Sequence, residues 1–249
     1  MFENTIEFIA PKDFVELNLG YPKPVKLNIP EWFKKLEHTP THKTVKGCMP
    51  FLDALTTGYV LELPQDVLIQ HNIPNKEGVP SYYAQFALYE ENLGGHNKLN
   101  INDANYGSHS MHNSKQIAGS PLESRNKFLP IHKFFNPWKI VTPKGYSCLF
   151  IPPLNNRDDR FEIIAGIVDT DTYHQPVNFP FIINGDKYPE FNDVIKKGTP
   201  YVQIIPFKRE AWKMKIHSKN PSKKLTNIIF NSTLLHKYRN LFWHKKTWT

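Results

Sequence analysis

Our prediction of the fold starts from the stretch "AGIVDTDTYHQPVNFPFI", residues 165–182. Two short apolar runs flank a turn rich in Asp and Thr, and each run has the length and composition of a β-strand. Asp169 begins the turn, and the residues leave two roles open for it. It can stabilise the turn by accepting hydrogen bonds from backbone N–H groups, or it can serve as a catalytic base.

Comparable apolar runs, bounded by Pro, Gly or Asp-Asn clusters, recur from residue 126 to 216. Runs of this length and spacing are typical of an antiparallel β-sandwich or barrel. The chain is therefore predicted to be mainly β, in the α+β class, with this region as its core. Within the core, the alternation of apolar and polar residues predicts five side chains that point inward: Ile167, Phe179, Phe181, Val202 and Ile204.

The sequence before the core predicts an irregular N-terminal lobe, residues 1–125, within a single domain of residues 1–249. Prolines are frequent there, and interior prolines interrupt helices. We expect a short helix that opens at Pro30, since a proline in the first turn loses no hydrogen bond, and a second helix over Met49–Leu55. A long loop rich in Asn, Gly, Ser and His follows over residues 91–121.

The positive charge of the chain is concentrated at its C-terminal end. The sequence has 31 Lys and Arg against 23 Asp and Glu, and nine of the basic residues but no acidic one fall between residues 211 and 249. Residues 217–249 are predicted to form a basic C-terminal helix, because apolar residues recur there with the period of an α-helix. The anion-binding candidates within it are Lys223, Lys224, Lys237 and Arg239.

Two interpretations of this basic segment stay open. Basic residues with interleaved aromatic residues can bind a nucleic-acid backbone and stack on bases, and they can also dock on an acidic partner or an anionic membrane. Alternatively, the apolar side of the helix packs on the β-core while its lysines are solvated, which explains the same periodicity.

The remaining motifs predict neither a metal nor a cofactor, although a metal-dependent protein that uses the His-rich loop stays open as a third hypothesis. His109 and His112 are three residues apart, with His96 upstream, but no cluster of Cys or Glu lies nearby to complete a zinc site. The two cysteines form no disulfide framework, and Cys48 is expected to be a buried apolar residue. The sequence begins without a signal-peptide pattern and has no apolar run of membrane-spanning length. We therefore expect a protein that is not secreted and has no transmembrane segment.

Two segments of the core carry a resemblance to a known family. The strand ending in Gly-Ile-Val-Asp is followed by the loop and strand "TDTYHQPVNFPFI", and then by "VIKKGTPYVQIIPF". Over residues 148–210 this order resembles the β-clip core of the dUTPase and dCTP deaminase superfamily. The resemblance implies a dUTPase-like core in which Asp169 takes the place of a water-activating aspartate and Gln203 that of a phosphate-contacting glutamine. Asn178 lies nearest to the position of the deaminase glutamate.

The sequence departs from that family where the nucleotide would be held. The family's Asp-x-Asp-Tyr-Arg-Gly becomes a longer segment, with His174 after Tyr173 in place of Arg. The family's phosphate-binding Arg-Ser-Gly has no counterpart, and the basic C-terminal segment replaces the glycine-rich closing arm. A catalytic base without these groups cannot orient a triphosphate, so the resemblance implies the fold without the activity. Tyr173 and His174 remain candidates for ligand binding, together with Asn178 and Gln203.

The overall pattern from "NPWKIVTPKGYS" to "YVQIIPFKRE" also resembles proteins encoded by tailed phages. We therefore predict a non-enzymatic binding or assembly protein of phage type, such as a virion component, located in the host cytoplasm or the virion. Its expected partners are a second copy of the chain or another virion protein, and nucleic acid at the basic segment.

The alternative is an enzyme or binder that acts on nucleotides or another small anionic ligand through Asp169 and Gln203. This alternative requires Asp169 to line a cleft together with basic groups. Assembly instead requires an exposed apolar patch.

Overall fold

The regular structure is mainly antiparallel β-sheet with a few short helices, as the sequence predicts. The computed structural model describes residues 4–86, 111–218 and 237–249. The strands are β1 (Glu7–Ile9), β2 (Lys23–Pro24), β3 (Tyr59–Glu62), β4 (Val67–Pro74), β5 (Pro80–Phe86), β6 (His132–Phe134), β7 (Lys139–Val141), β8 (Tyr146–Ile151), β9 (Phe161–Ile163), β10 (Gly166–Val168), β11 (Phe179–Ile183), β12 (Phe191–Ile195) and β13 (Pro200–Lys208). The α-helices are α1 (Lys12–Glu16), α2 (Glu31–Lys35), α3 (Met49–Thr56), α4 (Pro121–Arg125) and α5 (Lys237–Leu241).

The largest sheet is organised around β13. This five-stranded sheet has the order β10-β8-β13-β3-β2, so β13 pairs with both β8 and β3. Two three-stranded sheets have the orders β6-β11-β9 and β12-β4-β5, and β1 pairs with β7. Every pairing among these strands is antiparallel. Strands that precede residue 126 therefore share sheets with strands of the predicted core.

Aromatic rings form the centre of the hydrophobic core. The rings of Phe134 and Phe181 stack with their centroids 3.9 Å apart, and Tyr201 meets Phe134 edge-on at 5.3 Å. The prediction of inward-pointing side chains is confirmed at four positions, which are all buried: Phe179, Phe181, Val202 and Ile204.

The prediction is wrong at Ile167, whose side chain is 63% exposed. β10 is a three-residue strand at the edge of the five-stranded sheet, and in the described part of the chain it pairs with β8. Val168 points to the side of the core, so its neighbour Ile167 faces the opposite side. Alternation predicts which residues share a face of a strand, but it does not predict whether that face is covered. In the described part of the chain, nothing covers the outer face of β10 at Ile167.

The two helices expected in the N-terminal lobe are both present. α2 begins at Glu31, directly after Pro30, and α3 covers the predicted segment and ends one residue later, at Thr56. The rings of Phe33 and Phe51 stack at 6.0 Å with an interplanar angle of 11°. This contact packs α2 against α3.

The C-terminal segment differs from the predicted helix. Helix α5 ends at Leu241, and residues 243–249 have no regular structure. Trp243 and Lys246 both reach Asp53 on α3 with their side chains, which draws this stretch along α3 instead of continuing the helix. Residues 219–236 lie outside the described part of the chain.

The predicted core also ends earlier than expected. Its last strand, β13, ends at Lys208, which pairs with Tyr146, the first residue of β8. Residues 211–218 have no regular structure. Of the expected loop over 91–121, residues 111–121 are described, and they contain a 3-10 turn at Ser114–Ile117. None of the described helices is both long enough and apolar enough to cross a bilayer.

A buried polar network joins two of the sheets. His71 on β4 and His132 on β6 are fully buried, and Nδ1 of His71 lies 2.9 Å from Nε2 of His132. Nε2 of His71 lies 3.2 Å from the carbonyl oxygen of Asn126, another fully buried residue. The Asn126 side chain accepts a hydrogen bond from the Ile183 N–H of β11 and donates one to the carbonyl of Leu129. The network therefore ties β4 to both β6 and β11.

The hydrogen-bond partners determine where the histidine protons lie. A carbonyl oxygen can only accept, so Nε2 of His71 carries the proton that points to Asn126. Nδ1 of neutral His71 is then an acceptor, and Nε2 of His132 donates to it. Burial lowers the pKa of His71 from 6.5 to about 4, although its hydrogen bond to Asn126 acts in the opposite direction.

We expect the free energy of unfolding to fall as the pH is lowered from 6.5 to about 4. Unfolded His71 binds a proton near pH 6.5, whereas the folded protein binds it only near pH 4. Within this window the unfolded state holds more protons, so lowering the pH favours unfolding. A shift of this size corresponds to about 3 kcal/mol. Urea denaturation at a series of pH values measures the loss.

Two variants separate His71 from other titrating groups. His71→Gln removes the titrating ring but can still donate to the Asn126 carbonyl, so it should flatten the pH dependence while lowering stability at neutral pH. His174→Gln changes an exposed histidine and should retain the wild-type slope. An unchanged slope in His71→Gln would contradict the prediction.

Candidate functional site

Asp169 lies in a hydrogen-bonded turn at the end of β10. Its carbonyl oxygen accepts from the N–H groups of Thr172 and Tyr173 at 3.0 and 2.8 Å. Its carboxylate accepts from the Ser147 hydroxyl at 2.6 Å and lies 3.3 Å from the Arg209 guanidinium. These contacts account for the position of Asp169 as a turn residue, and its catalytic role stays a prediction.

Arg209 connects this turn to the end of β13. Its guanidinium donates to both carboxylate oxygens of Asp171, at 2.8 and 2.5 Å, in a bidentate pair. The Gly145 N–H donates to the same carboxylate at 2.8 Å, from a backbone with a φ of +86° that favours glycine. The Arg209 guanidinium and the Gly145 N–H lower the pKa of Asp171 to about 2. Asp171 therefore remains ionised and paired at neutral pH.

Gln203 is fully engaged inside the fold. Its side-chain oxygen accepts from the Leu154 N–H at 2.8 Å, and its amide nitrogen donates to the carbonyls of Ala54 and Thr57 at 3.2 and 2.7 Å. The residue is 1% exposed. These bonds attach β13 to the C-terminal end of α3, and a role of Gln203 in ligand binding stays a prediction.

The structure does not bring Asp169 and Gln203 together. Gln203 lies opposite Ile151 on β8, whereas Val168, just before Asp169, lies opposite Cys148. Asp169 is therefore about four residues away from Gln203 along the direction of β8, or about 13 Å. A ligand bound at the Asp169 turn would have to extend over this distance to reach the buried Gln203 side chain.

The other sequence-predicted ligand residues are also dispersed. Tyr173 and His174 are exposed in the turn, whereas the Asn178 side chain accepts a hydrogen bond from the Asn136 N–H at 3.1 Å. His112 forms an isolated β-bridge with Ile131, while the other two histidines of the predicted loop, His96 and His109, lie outside the described residues. Within the described ranges, no group of three or more His, Cys, Asp or Glu is arranged to hold a metal ion.

The two cysteines differ in environment. Cys148 on β8 is buried, and burial raises the pKa of its thiol to about 11, so it stays protonated. Cys48 is exposed, which contradicts the expectation of a buried residue. Cys48 precedes the first turn of α3, where the next residue, Met49, occupies the buried position at 5% exposure.

A groove of about 740 Å³ lies between α2, α3 and α5. Of the predicted anion-binding residues, Arg239 is described with its side chain, and it lines this groove. Lys223 and Lys224 lie outside the described residues, as does the side chain of Lys237. Lys35 and Lys46 line the groove as well. Neither lysine is among the sequence-predicted candidates, although the aromatic and basic residues in "EWFKK" were a signal for Lys35.

Residues 211–218 form an exposed arm after β13. Every residue of the exposed arm is solvent-accessible, and its sequence alternates apolar and basic residues. Trp212, Met214 and Ile216 are 88%, 83% and 85% exposed. An apolar patch of this kind is typical of an interaction surface.

No family model, curated protein or solved structure matches this chain. Functional inference therefore depends on the turn at Asp169, the groove and the exposed arm.

Proposed function

We propose that this chain is a non-enzymatic assembly protein whose exposed arm adds to a sheet edge of a second copy. The observation that carries the proposal is the exposure of Trp212, Met214 and Ile216. In an extended conformation, these three side chains would lie on one side of the arm, and Lys213, Lys215 and His217 on the other. This is the pattern of a strand with one face to bury.

The acceptor edge in this proposal is β10. Its Ile167 is 63% exposed, and in the described part of the sheet β10 pairs with β8 on one side only. An edge strand presents backbone N–H and C=O groups that can pair with another chain. The apolar side of the arm would cover Ile167, so that both exposed surfaces leave water together.

The strand directions favour a second copy over the arm's own β10. β13 and β10 both run antiparallel to β8, so they point in the same direction. β13 ends at Lys208, opposite Tyr146, the first residue of β8. A chain that leaves there continues past the end of its own β10 and would have to reverse direction to pair with it. The edge of a second copy requires no reversal.

The arm also leaves the sheet from a well-held starting point. Arg209 donates to Asp171, to the carbonyl of Tyr146 and to the Ser147 hydroxyl. Its backbone N–H donates to the carbonyl of Gly145 at 2.8 Å. A fixed origin lowers the conformational entropy that the arm loses when it docks.

The proposal includes a more specific identity. We infer that the protein is of tailed-phage type and acts as a virion or accessory component, on the basis of its overall sequence pattern. A β-clip-like, dUTPase-like core is supported by the chain order that the resemblance implies: β10, the turn at Asp169 and β11, followed by β12 and β13. Nucleic acid is a further proposed partner of the basic C-terminal segment.

Replacing Trp212, Met214 and Ile216 together by Ser should weaken self-association by about 1,000-fold. Each large apolar side chain that is buried contributes about 1.5–3 kcal/mol, and 1.4 kcal/mol is a factor of about ten in affinity. Sedimentation equilibrium over a range of protein concentrations measures the change. Ile167→Lys should weaken association as well, because it places a charge on the acceptor edge.

The matched control changes the other side of the same arm. Lys213→Ser, Lys215→Ser and His217→Ser together should leave a self-associating protein, since the apolar side is intact. A wild-type protein that stays monomeric at every concentration would overturn the second-copy proposal. So would association that neither the apolar triple variant nor Ile167→Lys weakens.

The alternative activity leads to a separate prediction. The distance between Asp169 and Gln203, and the missing phosphate-binding segment, make turnover of a nucleoside triphosphate unfavourable. We expect no hydrolysis of dUTP and no deamination of dCTP in the presence of Mg²⁺, as measured by product formation. Turnover that disappears in Asp169→Asn would reverse the order of the two hypotheses.

A further inference from the structure

The groove between α2, α3 and α5 combines an apolar floor with exposed cationic groups. We propose that it binds a small phosphate ester that carries a flat aromatic group, similar in size to a mononucleotide. The groove is lined by other residues than the exposed arm, and the proposal does not depend on self-association.

The floor of the groove suits a flat apolar group. Phe33 and Met49 line it and are each 5% exposed, and the partly buried Leu36 and Leu52 extend it. The stacking of Phe33 on Phe51 holds the Phe33 ring in place. The volume of about 740 Å³ falls in the range of small-molecule sites. An aromatic ring bound on this floor would remove water from the apolar surface of the floor and from the face of the ring.

The C-terminal segment forms one wall of the groove. The Trp243 indole N–H donates to both carboxylate oxygens of Asp53, at 3.1 and 3.0 Å, and the Lys246 ammonium donates to the same carboxylate at 2.6 Å. These contacts hold Trp243 against α3. Arg239 lies four residues before Trp243, on α5, and both residues line the groove.

The charged groups at the rim suit a phosphate monoester. Lys35, Lys46 and Arg239 face one acidic residue, Glu37, which leaves an excess of two positive charges. Among the described residues, no ion pair engages Lys35 or Arg239. A phosphate monoester carries about −1.5 to −2 charges at neutral pH, and the Arg guanidinium can bind two of its oxygens at once.

Lys46 is already oriented at this rim. Its ammonium donates to the carbonyl oxygen of Lys34, near the end of α2, at 2.8 Å. An ammonium has three N–H donors, so two remain for a ligand. A ligand without an anionic group would leave these cations uncompensated, and inorganic phosphate alone would leave the apolar floor in water. The groove therefore requires both parts in one molecule.

Isothermal titration of the full chain with three probes tests this requirement. Adenosine 5′-monophosphate has both an aromatic base and a phosphate. Ribose 5-phosphate lacks the aromatic base, and adenosine lacks the phosphate. We expect the monophosphate to bind about tenfold or more tightly than either of the other probes, because only it contacts both the floor and the rim. Equal affinity for all three, or no binding of the monophosphate, would overturn the proposal.

Two charge variants locate the binding. Arg239→Gln should weaken binding of the monophosphate about tenfold, because the bidentate contact is lost. The unfolding temperature of the protein without ligand should be the same in this variant as in the wild type. Lys245→Gln is the matched control. It removes one charge from the same basic C-terminal segment, and Lys245 is exposed and does not line the groove. It should bind as the wild type does. An equal loss in both variants would show attraction to the basic segment in general and would overturn the site.

Discussion

The contact between His71 and His132 is the constraint on which the arrangement of the sheets depends. Both rings are buried, and each must give or receive one proton of a single shared hydrogen bond. Asn126 completes the set by accepting from His71 with its carbonyl and from β11 with its side chain. A buried polar group that loses its partner costs about 1–3 kcal/mol, so β4, β6 and β11 are strongly constrained to this relative position. The stacked rings of Phe134 and Phe181 lie on strands that this network connects.

Much of the fold could be predicted because alternation along a strand is local information. Phe179, Phe181, Val202 and Ile204 are buried as expected, since their strands are covered by other parts of the chain. The same rule fails at Ile167, because coverage of an edge depends on neighbours that the local pattern does not specify. The predicted helical period is wrong for residues 243–249 for a similar reason, since Asp53 lies far away in the sequence and binds Trp243 and Lys246.

The candidate sites were harder to predict than the fold. The resemblance placed Gln203 at a phosphate, but a single polar residue within the apolar run "YVQIIPF" also fits a buried side chain that satisfies backbone groups, which is what it does here. The groove draws its cations from segments about 200 residues apart. The set of residues that line the groove therefore cannot be predicted from any one segment of the sequence. The aromatic and basic residues in "EWFKK" indicated only the part of the groove that α2 contributes. Residues 211–216 of the exposed arm were predicted as part of the core, because exposure cannot be read from alternation alone.

The central place of β13 has a mechanical consequence. A pull on residues 211–218 acts along the axis of β13, which pairs with β8 on one side and β3 on the other. Hydrogen bonds between antiparallel strands are perpendicular to the strands, so such a load would shear many of them at the same time instead of opening them one by one. The Arg209–Asp171 pair, at the end of the strand, would take the load first. The junction should therefore resist tension up to a threshold and then fail as a unit, as the assembly role that we propose would require.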